Sequence, residues 1–366
     1  MKVIHIADLH LGKSFHKRSL SYDQAYMLTN LLGILDAQKA HLVIAGDVFD
    51  SANPSIEAQE LFVRFMQAVM AYCDREQKEC IIIVGNHDSN RRLALWSEFV
   101  GTRVHIVSNY DTILVEGIPF CAISFVKPTI AQTEFNRPFE TYNEAFEAYL
   151  PTENRNQTIL IAHQTFEGCT TGSSESMSFF DDAVSQEVVQ DFPLVMAGHI
   201  HKKQKIKNIY YPGSLMPYAF GDEYAGGFTL WSILPPTVTT EDYTYIINQE
   251  TIPLPLCREF QIIRGDLKHC LSLVDTGAYV KVELVDESVP LDLALPQLQD
   301  HFKNLVTAVS KITDEWEADL NKPMVQFDSI ESALDSFCNQ IEVPVLESDQ
   351  IKLVQEVVHE ITETSD

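Results

Sequence analysis

The stretch CIIIVGNHDSNRR, residues 80–92, joins an apolar run to a cluster of polar side chains and sets the fold class. A short run rich in Ile and Val that ends at a glycine predicts a buried strand. Asn86, His87 and Asp88 follow at once, so an amide, an imidazole and a carboxylate stand together where the predicted strand ends. Such a grouping indicates a functional site at the strand end.

The same pattern occurs four more times along the chain. VIHIA precedes Asp8, HLVIAG precedes Asp47, TILIA precedes His163 and LVMAG precedes His199. The segments between the runs, such as residues 55–73 (SIEAQELFVRFMQAVMAYC), have helical periodicity. We therefore predict an α/β fold. Because ligands in α/β sheets collect outside the carboxyl ends of the strands, the polar residues at these five strand ends are expected to converge on one cleft.

Composition limits the class of protein. The 366 residues are 45% hydrophobic and 21% charged, which suits a well-covered core and about two domains. The seven cysteines are scattered and never in C-x-x-C spacing, so neither a disulfide framework nor a cysteine zinc site is indicated. The N-terminus reaches Asp8 and His10 too soon for a signal peptide, and no long apolar run follows. We expect a cytoplasmic protein.

The pattern predicts three regions. Residues 1–256 carry the five runs and end in closing strands and a linker around 232–256. Residues 257–322 suggest a small β-α-β-α domain, with helix candidates around Leu267–Val274 and over 295–309 (LPQLQDHFKNLVTAV). Residues 323–366 are expected to be helical and present a stripe of apolar residues at helical spacing: Ile351, Val354, Val358 and Ile361.

The polar residues at the strand ends have the chemistry of metal ligands. Carboxylate, amide and imidazole donors without thiolate favour manganese, iron or zinc, and their number exceeds what one tetrahedral ion needs, so two ions are implied. Asp47 lies between the two ligand groups in the motif order and is the candidate bridge. Any one such Asp or His is more often a cap or a satisfied polar residue. The prediction rests on the ordered set: Asp8, His10, Asp47, Asn86, His163, His199 and His201.

The blocks DLH, GDVFD, GNHD, AHQ and GHIH, in this order, resemble those of the calcineurin-like metallophosphoesterases. The resemblance implies a sandwich of two mixed β-sheets flanked by helices, with a small α+β capping domain that binds DNA. The start IADLHLG and the spacing from GHIH to YYPGSL are closer still to bacterial nuclease subunits that work with an SbcC-like coiled-coil ATPase.

The resemblance also assigns roles to residues. Two divalent ions, with Mn²⁺ favoured, would be held by two sets of ligands: Asp8, His10, Asp47 and His201 for one ion, and Asp47, Asn86, His163 and His199 for the other. His87 would stay uncoordinated and act as proton donor or charge stabiliser for the leaving oxygen, since an imidazole ordinarily titrates near neutral pH. Asp88 would orient the His87 ring.

The implied activity is metal-dependent hydrolysis of DNA, as a double-strand 3'-5' exonuclease and a single-strand or hairpin endonuclease in DNA repair, recombination and replication. The implied assembly is a homodimer of nuclease subunits within a heterotetramer with the ATPase, without a membrane. Sequence leaves open whether the stripe around Ile351–Ile361 docks on the ATPase or folds back on its own small domain.

The formal charge of −26 is an objection to nucleic-acid binding. Basic residues nevertheless flank the predicted site and are the DNA-binding candidates: Arg91, Arg92, Lys202, Lys203 and Lys205. The run KKQKIK (202–207) is equally explained as a solvated edge strand. Two other functions stay open, a phosphoesterase for small nucleotides or phosphoproteins and a non-catalytic scaffold for the ATPase. The scaffold predicts degraded metal ligands, whereas all seven are present.

Overall fold

A computed structural model describes residues 1–174, 182–234, 245–285 and 289–310. Met1–Ser310 form one compact unit. The predicted helical segment 323–366, with its apolar stripe, and the end of the predicted small domain at residue 322 lie outside the described residues. No helix among the described residues is long and apolar enough to cross a membrane.

Seventeen strands are present in the described ranges. In chain order they are β1 (Lys2–Ile6), β2 (Ser14–Phe15), β3 (Arg18–Ser19), β4 (His41–Ala45), β5 (Cys80–Ile83), β6 (Val104–Val107), β7 (Tyr110–Val115), β8 (Ile118–Ile123), β9 (Ile159–His163), β10 (Val195–Gly198), β11 (Gln204–Ile206), β12 (Ile209–Tyr211), β13 (Gly227–Leu234), β14 (Ile246–Pro253), β15 (Phe260–Gly265), β16 (Tyr279–Leu284) and β17 (Leu305–Ser310). All five predicted strands are among them.

Seven α-helices accompany these strands in the part of the chain that is described. They are α1 (Ser21–Gln38), α2 (Ile56–Glu76), α3 (Asn90–Ser97), α4 (Pro128–Phe135), α5 (Tyr142–Glu147), α6 (Leu267–Ser272) and α7 (Leu291–His301). The helix predicted over residues 55–73 is confirmed as α2. Its N-cap, Ser55, accepts a hydrogen bond from the Ala58 N–H at 3.2 Å, and Gln77 ends it in the left-handed conformation.

Two six-stranded mixed sheets form the body of the molecule, as the family resemblance implied. One has the order β14-β13-β1-β4-β5-β6 and the other β11-β12-β10-β9-β8-β7. Strands β1, β4, β5 and β6 run parallel, as do β8, β9, β10 and β12. The remaining strands pair antiparallel at the sheet edges. The closing strands expected around 232–256 are β13 and β14.

The central strands are buried on both faces, which is why they read as continuous apolar runs. In β4, Leu42 and Ile44 pack in the cluster that includes α1 and α2, whereas Val43 and Ala45 pack in the cluster that includes residues of both sheets. A strand enclosed in this way carries its polar side chains at its end. The sheets therefore place functional groups at the loops after the strands.

A smaller sheet follows the two large ones. Strands β15, β16 and β17 are parallel, with α6 between the first two and α7 between the last two. The helix predicted over 295–309 is wrong in its second half, because α7 ends at His301 and Leu305–Ser310 form β17. The segment LVTAVS is rich in β-branched residues, and pairing with β16 outweighs its apolar helical spacing.

Candidate metal centre

The strand-end side chains come together at one edge of the two sheets. Donor atoms lie within 4.8 Å of one another in three groups: Asp8, His10 and His201; His10, Asp47 and His87; and Asp47, His163 and His199. His10 and Asp47 each belong to two of the groups, so the three form one continuous centre. The structure therefore brings these strand ends together, as predicted.

One half of the centre is built around His10. The Nε2 of His10 lies 3.0 Å from the Nε2 of His201 and 3.6 Å from Oδ2 of Asp47. The Asp8 carboxylate accepts the backbone N–H of His199 at 3.0 Å, which fixes it beside these rings. Two imidazole nitrogens at this separation repel each other unless a proton or a cation is shared between them. The donor set therefore fits a cation.

The other half is built around His163 and Asn86. Nδ1 of His163 lies 2.7 Å from the Ala45 carbonyl and donates to it, so Nε2 carries the lone pair in the neutral ring. That Nε2 faces Oδ1 of Asn86 at 3.0 Å and Oδ2 of Asp47 at 3.5 Å. Nδ1 of His199 approaches the same Asn86 oxygen at 2.8 Å. In the neutral ring the lone pair of His163 Nε2 faces the Asn86 and Asp47 oxygens with no hydrogen between them, an arrangement that a metal ion, or a proton on Nε2, would stabilise.

The backbone of the centre is strained. Asp8, His10, Asp47 and His199 have φ values of 53°, 42°, 48° and 92°, in the left-handed region that non-glycine residues rarely adopt. Each such residue costs on the order of 1–3 kcal/mol and persists only where the surroundings compensate. Four of the seven predicted ligands carry this conformational cost, which supports a functional rather than a structural role for the loops.

His87 lies beside the centre and is held at two points. Its backbone N–H donates to Oδ1 of Asp47 at 2.9 Å, and its Nδ1 lies 2.9 Å from the carbonyl oxygen of Asp50. That carbonyl can only accept, so Nδ1 carries a proton. The ring meets His10 edge-on with centroids 4.8 Å apart. The ring orientation is thus set by the chain that follows Asp47.

Asp88 does not orient the His87 ring, and that prediction is wrong. Its carboxylate accepts backbone N–H groups of Val48 at 3.1 Å, Phe49 at 2.8 Å and Gly85 at 3.0 Å. Burial and the nearby Asp47 charge raise the pKa of Asp88 to about 6, against the lowering effect of these hydrogen bonds. Adjacent side chains diverge here, since Asp88 turns inward to tie two loops together while His87 stays at the edge of the centre.

Comparison with known proteins agrees with this geometry. The family model described as calcineurin-like phosphoesterase matches residues 1–203, more than half of the chain, and the match spans all seven predicted ligands. The chain belongs to the calcineurin-like phosphoesterase family. It is accordingly a metal-dependent hydrolase of phosphate esters.

Two curated relatives of this phosphoesterase share most of its length. One, a subunit of the nuclease SbcCD from Staphylococcus epidermidis, is 28% identical over 341 residues, 87% of each chain. The corresponding SbcCD nuclease subunit of Staphylococcus saprophyticus is 24% identical over 387 aligned positions, 99% of each chain. Among solved structures, a novel archaeal phosphodiesterase is 10% identical, with a TM-score of 0.29 over 68% of this chain and all of that one.

The histidines of this phosphoesterase have strongly shifted pKa values. Burial lowers the pKa of His199 to about 3 and that of His201 well below its usual value, and it also lowers the pKa of His10. Burial alone would lower the pKa of His163 too, but the Asp47 carboxylate raises it to about 9. Three of the four rings are thus held neutral, the form in which imidazole binds a metal.

Residues not singled out from the sequence also support the centre. Asp50 ion-pairs with Lys13 at 2.8 Å and lies 3.3 Å from Nδ1 of His10. Burial would raise the Asp50 pKa, but these two partners lower it to about 2. Tyr218 packs edge-on to His10 with centroids 5.3 Å apart. Asp50 could have been found as the last residue of GDVFD, whereas nothing in the local sequence marks Tyr218.

The five basic candidates differ in their surroundings. Arg91 and Arg92 are exposed in the first turn of α3, directly after the Asn86 loop. Lys202 pairs with Glu223 at 3.5 Å, and Lys203 donates to the Thr251 hydroxyl. Lys205 is exposed on β11, at the edge of its sheet. The edge-strand explanation of KKQKIK therefore describes residues 204–206, whereas Arg91 and Arg92 are exposed a few residues after Asn86 and His87.

Proposed function

We propose that this phosphoesterase is a two-metal DNA nuclease, the nuclease subunit of a complex with an SbcC-like coiled-coil ATPase. The observation that carries the proposal is the sharing of one carboxylate, Asp47, between donor groups on both sides of the centre, while His87 lies within reach of His10 and of Asp47 itself. Phosphodiester hydrolysis by two metal ions uses this layout. The two staphylococcal relatives are each named as a subunit of the nuclease SbcCD, which supports a nucleic-acid substrate and a partner subunit.

The residues divide between two ions, with Mn²⁺ favoured by the mixed oxygen and nitrogen donors. Asp8, His10 and His201 would hold one ion, Asn86, His163 and His199 would hold the other, and Asp47 would serve both. The Ala45 carbonyl orients His163, and the His199 N–H orients Asp8. Partners of this kind set the ring tautomer and the direction of the ligand lone pairs.

Bound divalent ions would supply neutralisation of the phosphodiester charge and a lowered pKa for the attacking water. The protein contributes His87. Because its Nδ1–H is committed to the Asp50 carbonyl, a second proton at Nε2 is the one that His87 can pass to the leaving oxygen. Hydrolysis then needs no protein nucleophile and no covalent intermediate.

The proposed substrates are DNA ends and hairpins, cut by 3'-5' exonuclease and single-strand endonuclease action in DNA repair, recombination and replication in the cytoplasm. In this proposal residues 257–322 cap the nuclease domain of residues 1–256 and contact DNA. Residues 323–366 dock on the ATPase, and two nuclease subunits pair in a heterotetramer. The exposed Arg91 and Arg92 contact DNA phosphates near the centre.

A phosphoesterase for small nucleotides or phosphoproteins is the second candidate. The net charge of −26 favours it, because a strongly acidic surface repels polynucleotides. The same centre serves either substrate, since the family's fold and ligands do not determine what is hydrolysed.

The deciding experiment compares wild type with His87→Ala on end-labelled duplex and hairpin DNA, beside a small phosphodiester, with Mn²⁺. Metal content is measured in parallel, and His105→Ala, at a partly exposed histidine of β6 outside the proposed centre, is the matched control. We expect wild type and the control to cleave DNA at the same rate. His87→Ala should cleave DNA at least about a hundredfold more slowly while its metal content is unchanged. Turnover of the small ester without DNA cleavage, even with the ATPase added, would establish the second candidate instead.

A further inference from the structure

Two neighbouring residues of α1, Asp23 and Gln24, are buried and face different partners. Gln24 is fully buried, and its side chain hydrogen-bonds with the loop that carries His10 and with Tyr218. Its Nε2 donates to the carbonyls of His10 at 2.7 Å and Leu9 at 3.2 Å, and its Oε1 accepts the Gly12 N–H at 3.2 Å. One amide thus holds both sides of the loop on which His10 adopts its left-handed conformation.

Asp23 faces the small three-stranded sheet instead. Its Oδ2 accepts hydrogen bonds from the Arg258 guanidinium at 2.6 Å and from the Tyr279 hydroxyl at 2.8 Å. Asp23 is 1% exposed, and a carboxylate buried to that degree is costly unless its partners stay in place. Tyr279 begins β16 and Arg258 precedes β15. The contacts of Asp23 with these two residues therefore form only when the small sheet packs against α1.

An aromatic cluster gives a second connection between the same two places. Phe15, Tyr218 and Tyr279 belong to one buried cluster, against which Phe260 of β15 packs. The Tyr218 hydroxyl donates to the Leu9 carbonyl, and the Tyr218 ring meets His10 edge-on. Both connections therefore begin at the small sheet and end on the loop that carries His10.

The other half of the centre has different supports. His163 is held by the Ala45 carbonyl, and His199 by Asn86 and the Asp8 carboxylate. In the described hydrogen bonds, neither Asp23 nor Gln24 contacts these residues. The two halves meet at Asp47, whose backbone carbonyl accepts the His10 N–H at 3.0 Å. A change in the packing of the small sheet would thus act mainly on the His10 half of the centre and reach the His163 half only through shared residues such as Asp47.

We infer that Gln24 is a positioning residue for His10, and that the contacts of Asp23 with Arg258 and Tyr279 couple the packing of the small sheet mainly to metal affinity at the His10 half. This rests on the proposed metal centre. Coupling acts through one rigid element, because Asp23 and Gln24 are consecutive residues within α1. The small sheet thereby becomes a device that adjusts one of the two metal sites.

The test isolates each half-site in the full chain. His163→Ala leaves the His10 half, and His201→Ala leaves the His163 half. Tyr279→Phe is then added to each, and Mn²⁺ binding is measured by calorimetry. We expect about tenfold weaker Mn²⁺ binding in the His163→Ala background and a change of less than about twofold in the His201→Ala background. Tyr110→Phe, at an exposed tyrosine of β7, is the matched control and should change neither.

A second measurement separates positioning from general damage. Hydrogen exchange at residues 9–13 should speed up in Tyr279→Phe and in Gln24→Leu, and the two changes should be non-additive in the double variant. Equal weakening of both half-sites, or wild-type affinity at both, would overturn the coupling while leaving the metal centre intact. Failure of the wild-type protein to bind two Mn²⁺ ions would instead overturn the proposed centre itself and the coupling with it.

Discussion

The carboxylate of Asp88 accepts a hydrogen bond from the backbone N–H of Phe49 at 2.8 Å. This bond ties the loop after β5, which carries Asn86 and His87, to the loop after β4, which carries Asp47. The Val48 N–H on Asp88, the His87 N–H on Asp47 and the His87 ring on the Asp50 carbonyl join the same two loops. Asp88 thereby sets the distance between ligands that belong to different strands.

Replacing Asp88 tests this role through stability. Asp88→Ala leaves the buried N–H groups of Gly85, Val48 and Phe49 without their acceptor, and each such group costs about 1–3 kcal/mol. We expect the free energy of unfolding in urea to fall by roughly 3 kcal/mol or more. Asp88→Asn keeps one oxygen acceptor and should lose less. An Asp88→Ala protein within about 0.5 kcal/mol of wild type would show that the tie is dispensable.

Gly85 is required by the close approach of Asp47. A Cβ at residue 85 would overlap both the side chain and the backbone nitrogen of Asp47, so Gly85→Ala must displace the shared carboxylate. We expect loss of bound Mn²⁺ and a fall in stability of about 1–3 kcal/mol. Gly33→Ala is the matched control, because a Cβ there meets nothing within 4 Å and the residue is exposed in α1. That variant should gain up to about 1 kcal/mol, and a Gly85→Ala protein with full metal content would contradict the expectation.

Arg91 and Arg92 should account for most of the local phosphate contact if the proposed nuclease function holds. Their double replacement by Ala should reduce the slope of log affinity for DNA against log salt by about 2. The double replacement of Lys202 and Lys203 is the comparison, since those side chains are engaged by Glu223 and Thr251. Fluorescence anisotropy at several salt concentrations measures both. A larger slope change from the lysine pair would place DNA on the β11 side instead.

His5 should make the protein sensitive to acid. It is fully buried, neither ring nitrogen has a hydrogen-bond partner among the described residues, and burial lowers its pKa to about 3. The unfolded chain, with a histidine pKa of about 6.5, takes up the proton first as the pH falls. Stability from neutral His5 is therefore complete above pH 6.5 and is lost between pH 6.5 and 3, at about 1.4 kcal/mol per pH unit.

The comparison is made by urea unfolding at pH 8 and pH 5 in the presence of EDTA. The drop in stability between the two pH values should be about 2 kcal/mol smaller in His5→Leu than in wild type. His269→Leu, at an exposed position of α6, should show the wild-type drop. Equal drops in all three proteins would mean that His5 finds a partner that accepts its charge.

The main elements were predictable where the pattern is strong. Strands β1, β4, β5, β9 and β10 follow from apolar runs that end in polar residues, and α2 follows from its helical period. The segment 305–310 was not predictable, because its apolar residues suit a helix and only pairing with β16 makes it a strand. Short apolar runs are decided by their tertiary neighbours.

Local sequence was enough for the class of fold, the family resemblance and the identity of the candidate ligands, because each ligand lies within three residues of the end of a run whose apolar pattern is local. Which side chains face each other depends on the folded chain. Asp88 turns to Val48 and Phe49 rather than to the adjacent His87, and Gln24 reaches the His10 loop although it lies in a helix without a motif. These partners are set by the course of the loops and by the requirement that buried polar groups be paired. The spacing of residues along the sequence shows neither the course of the loops nor which buried groups pair.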